Sequence, residues 1–283
     1  MNKASEARAR FGALLSGPDC VFPASVQDAA AGRMADALGY EMAMLAGSVA
    51  SLAVLGAPDL IVLTLTEFAE QARRITRAAR LPLMVDADHG YGNALNVRRT
   101  VEELETAGIA ALTIEDTSLP QGFGTGGKAG LIDLAEGVGK MRAALEARSD
   151  PGLAIIGRTG AAAITDLDDA IRRCQSYEAA GVDGVMLTGV KAPEAIKAAR
   201  AALRGPLLLG VVGDGLDAAT LGALGVSIAL REHLPMRAAI AATYEALKAM
   251  REGGTPERLA SAELMDLVSG AAEHARWRKD YLG

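Results

Sequence analysis

The sequence predicts an α/β chain folded as a (β/α)8 TIM-type barrel with extra C-terminal helices. Three observations predict it. A helix-like segment runs into a glycine, and an apolar strand follows, four times over: Leu38-Gly39-Tyr40, Ala107-Gly108-Ile109, Ala180-Gly181-Val182 and Leu224-Gly225-Val226. Glycine just past a helix end takes the left-handed cap, so each marks a helix-to-strand junction. The strands read as near-continuous apolar runs, as they do in a parallel sheet covered on both faces. About eight such units over roughly 250 residues is the size of a closed barrel. A doubly wound sheet would carry a glycine fingerprint after its first strand, and Ala24-Ser25-Val26-Gln27 is not one.

Taken in order, the expected strands are Val21–Ala24, Met42–Ala46, Leu83–Asp86, Ala111–Glu115, Ala154–Arg158, Gly184–Leu187, Leu207–Val211 and Val226–Leu230. Amphipathic stretches between them, such as 67–80, 97–107, 136–147 and 166–180, read as helices. Residues 252–283 read as two helices outside the barrel, and the whole of 1–283 as one domain. Residues 42–58 lack any charge, but Gly47, Ser48, Ser51, Gly56 and Pro58 interrupt a run already too short for a membrane helix. A buried strand followed by a loop is expected there, and no membrane span.

Composition removes several function classes. The 283 residues carry a net charge of −6 and only 4% aromatics, which argues against nucleic-acid binding. Two cysteines, Cys20 and Cys174, make no disulfide scaffold and fit a reducing compartment. The first fifteen residues mix Lys3, Glu6, Arg8 and Arg10 with no continuous apolar run, so no secretory signal is expected and the location is read as cytoplasmic.

In a barrel the chemistry sits at the carboxyl ends of the strands. There the second strand ends in Gly47-Ser48, the third in Asp86-Ala87-Asp88-His89-Gly90-Tyr91-Gly92, the fourth in Glu115-Asp116, the fifth in Arg158-Thr159, and the eighth in Arg231-Glu232-His233. Four acids (Asp86, Asp88, Glu115 and Asp116) at neighbouring strand ends suit a hard divalent ion, Mg2+ or Mn2+, with water completing its shell. Arg158 needs a partner after an apolar strand: either Glu115 or Asp116, or the carboxylate of a substrate, and the two are compatible. Gly47-Ser48 can offer N–H groups and a hydroxyl to an anion. His89 adjoins the acids, His233 stands by the barrel mouth, and His274 lies in the charged tail. Residues 122–129 match G-x-x-x-x-G-K but continue with Ala129, so they read as a mobile lid and not a nucleotide loop.

The run Asp86 to Gly92, with Leu45-Ala46-Gly47-Ser48, Ala57-Pro58-Asp59, Ile114-Glu115-Asp116 and Arg158-Thr159, resembles the phosphoenolpyruvate mutase/isocitrate lyase superfamily. Residues 47–52, 86–100, 136–140 and 143–148 are most similar to its bacterial oxaloacetate decarboxylase branch. The resemblance implies Mg2+ held directly by Asp86 and through water by Asp59, Asp88 and Glu115. It also implies substrate contacts from Gly47, Ser48, Arg158 and His233, with Arg158 and His233 catalytic, and a homotetramer. The expected activity is decarboxylation of a small 2-oxo dicarboxylate, oxaloacetate, through a metal-stabilised enolate. Alternatives are a carbon–carbon or carbon–phosphorus bond enzyme of the methylisocitrate, 2-methylmalate or phosphonopyruvate type, and a non-catalytic barrel. Residues 122–130 contain no cysteine or histidine, unlike the lyase members. The branch pattern also has asparagine at Gly160 and a tyrosine near Val212, and this valine leaves His233 without an expected partner to fix its ring.

Overall fold

A computed structural model describes residues 2–213 and 215–283. Eight parallel strands run in sequential order: β1 (Ala24–Ser25), β2 (Ala43–Leu45), β3 (Leu83–Asp86), β4 (Ala111–Glu115), β5 (Ala154–Thr159), β6 (Gly184–Leu187), β7 (Leu207–Val211) and β8 (Val226–Leu230). Val21 bridges in parallel to Ile228 and closes the ring, its N–H donating to Ser227 and its carbonyl accepting from Ala229. The first strand was expected at Val21–Ala24. Instead the ladder runs at Ala24–Ser25, because Val21 pairs across the seam with β8 while Ala24 and Ser25 pair with Ala43 and Met44.

The helices are α1 (Lys3–Ser16), α2 (Ala29–Ala37), α3 (Gly47–Leu55), α4 (Leu65–Ala78), α5 (Ala94–Thr106), α6 (Leu134–Ala147), α7 (Ala161–Ile164), α8 (Leu167–Ala180), α9 (Pro193–Ala202), α10 (Ala218–Ala223), α11 (Leu234–Arg251), α12 (Ala262–Ser269) and α13 (Ala271–Leu282). The four glycines at the anticipated junctions, Gly39, Gly108, Gly181 and Gly225, all have positive φ. The uncharged stretch after β2 departs from expectation: it forms α3, not a loop. No helix among the described residues is long and apolar enough to cross a membrane.

Side-chain alternation divides each strand between two apolar clusters. Met44, Met84, Ala111, Ala154, Ile156, Met186, Leu208 and Ile228 fill the barrel, and Phe11 and Leu15 of α1 join them from below. Leu45, Val85, Leu112, Ile155, Val185 and Leu209 point outward against the helices. The inward column therefore continues upward as Met84 to Asp86, Ala111-Thr113 to Glu115, and Ile156 to Arg158. The register pairs Glu115 with Arg158 and Asp86 with Thr113. The last helices lie outside this frame. α12 packs on α2, where an Arg33 guanidinium N–H donates to the Val268 carbonyl, while α11 buries none of its residues.

Candidate active site

The inward layer opens into a cavity of about 730 Å3 at the carboxyl ends of the strands. Asp86 is its centre. Its Oδ1 accepts from the Thr113 hydroxyl at 2.9 Å and the Asp88 backbone N–H at 3.2 Å, and its Oδ2 accepts from Arg158 Nη1. Arg158 Nη2 lies 3.3 Å from Glu115 Oε2, which also accepts from the Thr117 hydroxyl at 2.9 Å. Arg158 thus bridges two acids. Burial alone would lower its pKa, but Asp86 and Glu115 raise it above the ordinary value, so it stays charged.

Asp88 reaches the cavity differently. It lies past the end of β3 with φ 47°, a left-handed conformation uncommon outside glycine. The Glu115 N–H, donating to the Asp88 carbonyl at 2.8 Å, holds that turn. Its carboxylate rests against the first residue of α3: a Cβ on Gly47 would stand 2.8 Å from Asp88 Oδ1. Burial pushes Asp88 well above the usual carboxylate range, and the charges of Asp86, Asp59 and Glu115 push it further, with Arg158 opposing. Burial also raises Glu115, partly offset by Arg158. Asp59 stands exposed at the cavity rim.

α3 begins with no side-chain cap, and Ser48, in its first turn, lines the cavity. The positive end of that helix dipole and its unbonded N–H groups therefore face the acids and any anion bound among them. His233, half-buried before α11, also lines the cavity. Its Nδ1 lies 2.8 Å from the Ser25 hydroxyl. Burial lowers its pKa, with Asp86 and Glu232 opposing.

The structure brings together Gly47, Ser48, Asp59, Asp86, Asp88, Glu115, Arg158 and His233. Two expectations are corrected. Asp116 does not join the acid cluster: one residue past Glu115, it points outward to the helix layer. There it accepts from Tyr177 Oη at 2.7 Å and Arg173 Nη1 at 3.0 Å, and Arg158 pairs with Asp86 and Glu115 instead. Val212 does not leave His233 without a partner. Val212 is packed in the outer core, Val211 lines the cavity, and Ser25 holds the imidazole. His89 is buried away from the cavity lining, its carbonyl accepting from Lys140 Nζ, and burial drives its imidazole down to about 4. Residues 118–130 form an exposed loop pinned at its base by the Thr117–Leu131 bridge, and Leu119, Pro120 and Gln121 border the cavity.

Sequence reasoning missed Ser25, Thr113, Thr117 and Lys191, which also lines the cavity. Strand alternation could have found Thr113, two residues before Glu115; Thr117 and Lys191 lie beyond strand ends, and Ser25 meets His233 only where β1 closes on β8.

For a divalent cation, the donor set is oxygen-rich and the cavity carries four carboxylates against Arg158 and Lys191. Among the described residues no three Asp, Glu, His or Cys side chains close on one point as a ligand group. The oxygen-only carboxylate set fits a hard divalent cation that keeps water in part of its shell.

The family profile for phosphoenolpyruvate phosphomutase matches residues 11–251. This chain belongs to the phosphoenolpyruvate mutase/isocitrate lyase superfamily. It is 56% identical over 280 residues to an oxaloacetate decarboxylase of Bradyrhizobium diazoefficiens, covering 98% of this chain and 97% of that one. Among solved structures it is similar to oxaloacetate acetylhydrolase bound to 3,3-difluorooxalacetate, with a TM-score of 0.89, 25% identity and coverage of 99% and 98%. It is also similar to phosphonopyruvate hydrolase in complex with oxalate and Mg2+, with a TM-score of 0.86, 28% identity and coverage of 100% of each chain.

Proposed function

We propose that this chain is a carboxy-lyase that converts oxaloacetate to pyruvate and CO2. The observation that carries the reading is the inward layer of Asp86, Glu115 and Arg158 facing the uncapped start of α3 in one cavity. The 56% identity to an oxaloacetate decarboxylase across nearly the whole chain supports the choice of substrate.

Loss of the distal carboxylate breaks one carbon–carbon bond and leaves its electron pair on the remaining fragment as an enolate. No proton has to be removed first, so the site requires no strong base. The Gly47 and Ser48 N–H groups and the Ser48 hydroxyl stabilise negative charge on the enolate oxygen, as an oxyanion hole does. Arg158 orients the retained carboxylate while remaining anchored to Asp86 and Glu115. His233 reaches the departing end, and the enolate carbon takes its proton from that imidazole or from water. Bound Mg2+, with Mn2+ as a substitute, held directly by Asp86 and through water by Asp59, Asp88 and Glu115, would add divalent positive charge next to the reacting oxygens.

The assembly is proposed to be a homotetramer of single-domain, cytoplasmic subunits. α11 supports this: Ile240, Tyr244, Leu247 and Met250 are all exposed along it, as an intersubunit helix would require.

The test is a substrate panel of oxaloacetate, 2-methylisocitrate, isocitrate and phosphonopyruvate, with and without Mg2+, read as pyruvate or glyoxylate. Pyruvate from oxaloacetate alone supports the reading. Glyoxylate from isocitrate, or pyruvate from 2-methylisocitrate or phosphonopyruvate and not from oxaloacetate, replaces it with the lyase or phosphonate alternative. No turnover and no Mg2+-induced thermal shift would mark a non-catalytic barrel.

A further inference from the structure

Ser25 and His233 are 208 residues apart, yet their side chains meet at 2.8 Å. The strand register explains the meeting. Ser25 pairs with Met44, an interior side chain, while the preceding Ala24 lies in the outer core, so Ser25 faces the barrel axis. Ring closure by Val21 and Ile228 sets β1 beside β8, and His233 follows β8 by three residues.

A neutral imidazole carries its proton on one nitrogen only, and its neighbours decide which. Suppose Nδ1–H donates to Ser25. The serine hydrogen then has no acceptor among the described residues, and the Nε2 lone pair is the polar atom left for a cavity rich in carboxylates. Suppose instead that Ser25 O–H donates to Nδ1. Both groups are then satisfied, and Nε2 keeps its hydrogen. His233 lines the cavity and Ser25 does not, so Nε2–H is the donor left available to a bound anion. Hydrogen-bond accounting and the sign of the surrounding charge select the second arrangement.

We infer that Ser25 is a positioning residue whose hydroxyl holds His233 as the Nε2–H tautomer, a hydrogen-bond donor presented to the anionic end of the substrate. The tautomer follows from this chain's own contacts. The identity of the anion, the distal carboxylate of oxaloacetate, rests on the proposed function. The arrangement has a chemical consequence: His233 cannot accept a proton at Nε2, so it serves as a donor and not as a general base.

The test reads the tautomer directly. The chain contains three histidines, so 15N-histidine labelling gives three imidazole patterns, and the one missing from H233Q identifies His233. At mildly alkaline pH without substrate, His233 should be protonated at Nε2 in the native chain and lose that single tautomer in Ser25→Ala. In parallel, kcat/KM for oxaloacetate should fall about fivefold in Ser25→Ala, mostly through KM, the loss expected for one neutral hydrogen bond. Ser25→Thr, which keeps the hydroxyl, should restore both. A native Nδ1–H tautomer overturns the inference. So does a Ser25→Ala variant in which only one of the two readouts moves, or neither. If the native chain does not turn over oxaloacetate, the decarboxylase reading fails by itself, and the tautomer in native and Ser25→Ala protein still decides the role of Ser25.

Discussion

Gly47→Ala tests whether Asp88 is held in the site by the missing side chain at the start of α3. A methyl there would stand 3.1 Å from the Asp88 Cγ and 2.8 Å and 2.9 Å from its two carboxylate oxygens, the last two closer than real Cβ contacts. The backbone does not oppose the change, since Gly47 lacks positive φ and alanine is favoured over glycine in a helix by about 1 kcal/mol. Any loss must therefore come from Asp88. The backbone of that residue is held, its carbonyl accepting from Glu115 and its N–H donating to Asp86, so the carboxylate is the part that must turn away. Relieving such overpacking costs about 1–3 kcal/mol, which the helix preference partly offsets. A net loss of about 1 kcal/mol is expected, seen as a Tm lower by about 2–4 °C. The functional effect should be larger, because the carboxylate leaves its place among Asp59, Asp86 and Glu115. Thermal melts with and without Mg2+, combined with oxaloacetate kinetics, give both numbers. The Mg2+-induced rise in Tm should shrink, and kcat/KM should fall at least tenfold. Native Mg2+ binding and native kcat/KM in this variant would refute the packing argument.

Three further outcomes follow from the same geometry. Asp86→Ala removes the acceptor shared by Thr113, Asp88 and Arg158; Mg2+-dependent turnover should vanish while circular dichroism stays native, and persistent turnover would remove Asp86 as the metal ligand. Arg158→Lys keeps the charge but cannot bridge Asp86 and Glu115; since a hydrogen bond to a charged group contributes about 1.5–3 kcal/mol, kcat/KM should drop at least tenfold, and unchanged kinetics would leave Arg158 a structural ion pair. His233→Gln should raise KM for oxaloacetate several-fold with a modest change in kcat; a collapse of kcat at constant KM would make His233 the proton donor to the enolate instead of a holding contact.

Much of this protein is legible along the chain. Apolar runs separated by glycine junctions specify parallel strands and covering helices, because both depend on residues close in sequence. The period of two within a strand already sets Asp86, Glu115 and Arg158 at strand ends, and the family motifs around them identify the neighbours. Where reasoning along the chain failed, the deciding contact was distant. Residues 47–55 carry no capping side chain and no charge, so nothing local marked them as a helix; they form one at the barrel mouth. Asp116 looked equivalent to Glu115 until the register of β4 turned it outward to Arg173 and Tyr177. Ser25 is an unremarkable residue in a short strand, and only closure of the ring between β1 and β8 sets it against His233. Composition and periodicity determine that a barrel forms and which strand ends carry charge, because those signals are local free-energy preferences summed along the chain. The face each acid occupies and the group that orients the histidine are decided by tertiary structure, because they depend on which strands become neighbours when the sheet closes.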